Sequence, residues 1–206
     1  VLVGHGLGGV FVHLYASQHP EQVHGLVLVD PWHEAQSTRR PEEIRAAIEQ
    51  NERDRAAQFR LLATLMQVGM VRRAGEQNAP PLFTRYPPEV REALYALFLR
   101  PQAIDAALEE RERAEESFAP LRESGPLGEL PLRVITAGDR ETPGLLAEQA
   151  ALESLSLLAL HGELAALSTR GQHIIAEESS HHIPLEQPEI VIQAILELIE
   201  GSRQSP

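Results

Sequence analysis

The chain of 206 residues contains neither cysteine nor lysine. Without cysteine there is no disulfide, no thiol nucleophile and no Cys-ligated zinc, and the composition fits a bacterial cytoplasm. All 18 basic residues are arginine, against 30 acidic ones, and the net charge of −12 provides no basic stripe for a phosphate backbone. A nucleic-acid partner is therefore not expected. The arginine-only usage fits a GC-rich genome and carries no functional reading. Long apolar runs are also missing: none approaches the ~18 residues of a membrane span, and no charged-then-apolar leader precedes the first strand, so no membrane partner is expected.

A more local absence sits in the first turn. Val1-Leu-Val-Gly4 reads as the end of an apolar strand and Gly8-Gly9 as the start of a close-packed helix. The turn between them, Gly4-His5-Gly6-Leu7-Gly8, has the strand-turn-helix context of a G-x-S-x-G motif with glycine at its centre. Glycine adopts the positive φ of that central position without steric cost and brings no hydroxyl. No Ser, Thr or Cys lies between Val1 and Ala16, and Ser17 stands about three helical turns further on, so no neighbour replaces the missing oxygen.

Hydrophobic periodicity places a helix from Gly9 to His19, ended by Pro20, and a doubly buried strand from Val23 to Val29 with Asp30 at its carboxyl end. Pro31-Trp32-His33 then turns the chain into a charged helical block, Pro41 to about Leu65, Pro87 to Leu99 and Pro101 to Phe118, each helix opened by proline. Leu132 to Ala137 resumes the sheet, Pro143 to Leu158 is a helix, His173 to Ala176 a short last strand, and Pro188 to Ile199 a closing amphipathic helix. The pattern predicts an α/β fold, a parallel sheet of about four strands with flanking helices, in one domain with its core at residues 1–35 and 124–206 and a helical cap inserted at about 36–123. Ligands are expected at the carboxyl ends of the strands, where Gly6, Asp30, Gly138 and His181 converge. The abrupt start at Val1, inside an apolar strand, leads us to expect a fragment of a longer chain or self-association through the exposed edge of that strand.

Four landmarks occur in order: Gly4-His-Gly-Leu-Gly-Gly9, Gly25-Leu-Val-Leu-Val-Asp-Pro31, Pro131-Leu-Arg-Val-Ile-Thr-Ala-Gly138 and His173-Ile-Ile-Ala-Glu-Glu-Ser-Ser-His181. Together they resemble the α/β-hydrolase family, in particular small bacterial hydrolases whose elbow reads GHSxGG. The resemblance covers nearly the whole chain, is weakest from about residue 41 to 120, and implies the carboxyl-terminal half of such a hydrolase.

It also implies a nucleophile, an acid and a histidine base in that order. Gly6 occupies the nucleophile position, which is thereby lost. His181, rather than His182, matches the family's S-G-H-x5-Q-P pattern, with Ser180 in place of the glycine. Three acids remain open: Asp30, the leading one, directly after the strand that follows the elbow; Glu141, three residues beyond Gly138; and Asp139. Leu7 is expected to offer a backbone amide to an oxyanion, the family's second amide belonging upstream of Val1. His5 and Trp32 are expected to line the substrate pocket. No cofactor or metal is implied: His33, His161 and His173, taken with His181 and His182, match no ligand spacing of the H-E-x-x-H kind.

Losing the nucleophile of such a triad costs on the order of 10⁶ in kcat. The chain is thus expected to be an ester-hydrolase relative impaired in catalysis, taking a small-molecule substrate or ligand with an apolar acyl or alkyl group. Two alternatives stand beside it. His181, assisted by Asp30, acts as a general base without a covalent intermediate, or the protein is a non-catalytic binding protein, as happened where members of this superfamily became adhesion or receptor proteins.

Overall fold

The computed structural model describes residues 1–67, 85–98, 100–140 and 142–203. The chain divides into two compact units, residues 1–47 with 114–206, and residues 48–113. The helical block read from the sequence as 36–123 is split between them.

The first unit is built on a parallel sheet of β1 (Leu2–His5), β2 (Leu26–Val29), β3 (Leu132–Ala137) and β4 (Gly171–Ala176), in that spatial order. In register, Leu2 pairs with Leu26, Leu26 with Leu132, and Leu132 with Gly171. Side chains alternate across a strand, so a sheet covered on both faces needs strands apolar at every position. β2 meets that demand: Leu26 and Leu28 join Leu132, Val134, Ala16, Leu164 and Ala165 on one face, and Val27 and Val29 join Ile135, Ala176, Val191, Ala194 and Leu198 on the other. The first face is covered by α1 (Leu7–Gln18) and α7 (Ala147–Ala165), the second by α8 (Ile183–Glu186) and α9 (Pro188–Arg203). At the edge, β1 pairs with β2 alone among the described residues, and Val1 and Val3 are exposed.

β1 and α1 approach so closely that a Cβ at Gly4 would lie 2.4 Å from the carbonyl oxygen of Gly8, a position only glycine tolerates. Between β2 and β3 the chain forms α2 (Gln36–Arg39), α3 (Glu42–Gln67), α4 (Pro88–Phe98), α5 (Pro101–Glu112) and α6 (Ala114–Arg122). The boundary of the two units falls inside α3, at Ala47, and the second unit holds the rest of α3 with α4 and α5.

Two helices differ from the sequence expectation. The single helix expected from Pro101 to Phe118 breaks at Arg113 (φ −95°, ψ 4°), because Ala114 and Leu121 are drawn into the first unit, where α6 packs on α1. The helix expected to start at Pro143 starts instead at Ala147: Gly144 turns the chain at φ 82°, and Gln149 folds its side-chain oxygen back onto the Leu146 N–H at 3.0 Å. That helix also runs on to Ala165, which brings His161 beneath the β2 turn.

α2 is fastened to α7 by an ion pair. Arg40 lays Nε and a terminal nitrogen against both oxygens of Glu153 at 2.6–2.9 Å, and the Glu153 side chain is only 3 % exposed. Removing one partner of a buried pair strands the other without water or counter-charge, at a cost of about 3–5 kcal/mol. Glu153→Ala is therefore expected to lower the free energy of unfolding by that amount, seen as a lower midpoint of urea unfolding. The double change Arg40→Met with Glu153→Leu is expected to recover most of the loss, and equal midpoints for Glu153→Ala and the parent would contradict this assignment.

Candidate active site at the carboxyl ends of the strands

Gly6 joins β1 to α1 at φ 57°, ψ −124°. Three backbone hydrogen bonds hold it: its N–H donates to the Val29 carbonyl at 3.0 Å, and its own carbonyl accepts from Gly9 N–H at 3.0 Å and Trp32 N–H at 3.2 Å. A Cβ built on Gly6 would stand 3.3 Å from both Cε1 and Nε2 of His181 and 3.7 Å from Nε1 of Trp32. Leu7 opens α1, so its amide is one of the first-turn N–H groups that have no acceptor within the helix.

Asp30 follows β2 and is the one non-glycine residue with positive φ among those described, at 41°. Aspartate tolerates this region better than most residues. Its backbone N–H donates to the Ile135 carbonyl at 2.7 Å, and its buried carboxylate is met from three sides. Oδ1 accepts the Ala137 N–H at 3.2 Å and the Arg140 guanidinium, and Oδ2 lies 2.6 Å from Nδ1 of His181. Burial works to raise the carboxyl pKa, but the His181 hydrogen bond and the Arg140 charge outweigh it and hold the group at about 2.

A carboxylate only accepts, so His181 Nδ1 carries the proton that it shares with Asp30, and in the neutral ring Nε2 is left as an acceptor on the side of Gly6. His5 donates from Nε2 to the His181 backbone carbonyl at 2.7 Å and stacks its ring on that of His181, with centroids 4.4 Å apart and an interplanar angle of 30°. Burial first, then the charge of His181, lower the His5 pKa. The loop carrying His181 is fixed from α8: Gln187 Oε1 accepts from the Ser179 hydroxyl at 2.8 Å, and Glu186 Oε1 accepts from the Ser180 hydroxyl at 3.0 Å.

Of the three acids, Asp30 is the one the fold sets against His181. Asp139 is exposed, its backbone N–H donating to the Ser179 carbonyl at 2.9 Å, and Glu141 lies outside the described residues. His5, Gly6, Trp32, Asp30 and His181 are brought together. His33 is buried elsewhere, its Nδ1 accepting from Ala35 N–H at 3.0 Å. Among the described residues no group of three or more His, Asp or Glu side chains is arranged to hold a metal ion. A cavity of about 350 Å³, lined by residues that include Arg133, Arg170 and Glu197, lies at the opposite, amino-terminal end of β3 and β4.

Sequence reasoning missed Arg140 and Thr136, and the roles of His161 and His173. Arg140 carries no motif; its only signal was its place just after β3. The others form a chain under the turn, buried at His161 and Thr136 and half-buried at His173. Nε2 of His161 donates to the Pro31 carbonyl at 2.9 Å, so its Nδ1 is an acceptor and receives the hydrogen bond of the Thr136 hydroxyl at 2.7 Å. The Thr136 oxygen in turn accepts from Nε2 of His173 at 2.7 Å. His161 is fully buried, and burial is the main cause that lowers its pKa from 6.5 to about 4, against the raising influence of Asp30.

With this geometry in view, comparison with known proteins places the chain. The alpha/beta hydrolase family matches residues 1–194, and the chain belongs to it. Among solved structures, a bacterial membrane phospholipase A superposes with TM-score 0.55 at 23 % identity over 99 % of this chain and 57 % of its own. A thermophilic esterase from Thermogutta terrifontis gives 0.52 at 21 % identity over 98 % and 65 %, and an epoxide hydrolase from Bacillus megaterium 0.50 at 15 % over 97 % and 69 %. The chain thus spans about three fifths to two thirds of the length of these structures, which share its fold. No curated protein sequence matches it significantly. Among the described residues no helix is long and apolar enough to cross a membrane.

The titrating groups set a pH response. His161 binds its proton at about 4 in the fold and 6.5 in the unfolded chain, so its contribution to stability is complete above 6.5 and is lost as pH falls from 6.5 through 4. Asp30, lowered from 3.8 to about 2, adds stability that is present above 3.8 and lost as pH falls through 2. Urea unfolding followed between pH 7 and 4 is expected to show stability declining with acidification, with a shallower slope in His161→Gln. Identical slopes would remove His161 from this account. Thr136→Val, which deprives both histidines of their partner, is expected to cost about 1–3 kcal/mol at pH 7.

Proposed function

We propose that this chain is a relative of carboxylic-ester hydrolases in which the acyl-enzyme route is disabled at Gly6 while the rest of the apparatus is kept. His181 is the base, Asp30 fixes its tautomer, the Leu7 amide serves a developing oxyanion, and Trp32 borders the acyl pocket with His5 behind the base. The ligand is a small ester with an apolar acyl group, and the site binds it without forming a covalent intermediate. The cytoplasm is the compartment that fits the absence of cysteine.

One observation carries this reading: a side chain at Gly6 would begin 3.3 Å from His181 Nε2, while His181 Nδ1 rests 2.6 Å from Asp30. That is the spacing in which a hydroxyl one bond beyond the Cβ meets its base. Gly6→Ser is the direct test, assayed with short p-nitrophenyl esters. It is expected to produce a burst of p-nitrophenol followed by steady turnover, by way of an acyl-serine detectable by mass. The gain is of the order of 10³ or more, up to the ~10⁶ that a triad nucleophile commands. Adding His181→Ala should remove it. A Gly6→Ser variant that folds and forms no acyl adduct would refute the reading.

A further inference from the structure

β3 is an inner strand covered on both faces, yet it carries one charged residue. Leu132 and Val134 pack toward α1 and α7, so Arg133, alternating with them, sits with Ile135 on the face that α9 covers. A charge in such a strand breaks the local rule that the rest of the sheet obeys, and breaks of this kind gather at functional places. The Arg133 side chain is only 12 % exposed. Its Nε donates to Glu197 Oε2 on α9 at 3.3 Å, and one terminal nitrogen donates to the Leu132 and Arg170 carbonyls at 3.1 and 3.5 Å. A guanidinium has five N–H donors. The pair on the other terminal nitrogen meets no acceptor among the described residues. That nitrogen is not sealed off, since the one fully buried side-chain polar atom without a partner among those residues is Nε2 of His13.

Arg133 lines the cavity of about 350 Å³ at the amino-terminal end of β3 and β4. Arg170 lines it too, and its exposed guanidinium has no hydrogen bond or ion pair among the described residues. Glu197, hydrogen-bonded by Gln193 and by Arg133, has its carboxyl pKa lowered and stays ionised, so two cations face one anion in a chain whose net charge is −12. Gly201 lies inside α9, where glycine is ordinarily disfavoured. A Cβ there would meet nothing within 4 Å, so no packing demands glycine and its bareness keeps the cavity open. Pro131 and Leu198 supply an apolar wall. We propose that this cavity binds a small organic anion, a carboxylate or phosphate monoester with a short apolar body, its oxygens on Arg133 and Arg170 and its body against Pro131 and Leu198. Guanidinium forks match both head groups. The site is separate from Asp30 and His181, which lie at the opposite ends of the strands, and it stands independently of the ester-binding reading.

The whole chain, labelled with nitrogen-15, is titrated at constant ionic strength with hexanoate, hexyl phosphate, hexanamide and inorganic phosphate, and the amide resonances of Gly171, Gln172 and Gly201 are followed. Saturable shifts at these amides are expected with hexanoate or hexyl phosphate, and the tighter of the two identifies the head group. Hexanamide should leave them in place, and inorganic phosphate should bind about tenfold more weakly than the better probe or worse. Arg170→Gln is expected to weaken binding about tenfold or more, the share of one charge-assisted hydrogen bond. Because the Arg170 side chain holds nothing else among the described residues, that loss is not a folding defect. Arg133→Gln should act in the same direction, Gly201→Leu should fill the cavity and abolish binding, and Arg53→Gln, on the exposed surface of α3, should change nothing. Shifts that rise linearly without saturation, equal response to hexanamide, or unchanged affinity in Arg170→Gln would overturn the proposal. So would shifts confined to the residues around Gly6 and His181, or inorganic phosphate binding as tightly as the better probe.

Discussion

The buried carboxylate of Asp30 is the constraint around which the carboxyl end of the sheet is organised. An ionised carboxyl taken out of water is costly unless charge and hydrogen bonds surround it. Here each oxygen is engaged: Ala137 N–H and Arg140 meet Oδ1, and His181 meets Oδ2. These donors come from the end of β3, the segment just after it and the loop after β4, so satisfying one side chain fixes three pieces of chain relative to the end of β2. The positive φ of Asp30 is tolerated because the same contacts, with its N–H on Ile135, determine that conformation several times over.

Beneath this turn a second layer works by direction rather than charge. The Pro31 carbonyl demands a donor, which settles the tautomer of His161, and that settles which way the Thr136 hydroxyl points and which ring nitrogen of His173 is protonated. A buried network in which every member has one permitted role resists rearrangement, since flipping one ring leaves two groups unpaired in a low-dielectric interior. The base is held by the His5 stack, and the turn after β2 by the histidine chain at Pro31.

Much of this was legible in the sequence because it rests on local rules. The four strands announce themselves as apolar runs, and Leu26–Val29, buried at every position, could hardly be anything but an inner parallel strand. The Gly4–Gly9 turn, Asp30 and His181 stood out through spacing and strand-end position. What stayed hidden was tertiary. The break at Arg113 has no glycine or proline to mark it and exists because Ala114 and Leu121 find a place on α1. Arg140, His161 and Thr136 are ordinary residues in sequence and become partners of the site only when strand and helix ends meet. The acid could not be chosen from spacing alone, because Asp30 and Asp139 both sit at strand ends and only the fold sets one against His181.

The exclusive use of arginine also bears on how the charge framework behaves. A guanidinium does not release its proton at any pH a protein survives, whereas an ammonium does so near 10. Every side-chain cation fastening this structure, Arg40 on Glu153 and Arg140 on Asp30 among them, is therefore permanent on the alkaline side. No side-chain amine exists for acetylation to neutralise. The framework has an acid limb, set by carboxylates and imidazoles, and no matching basic limb: proton supply can loosen it, and neither proton withdrawal nor acylating chemistry has a side-chain cation to act upon.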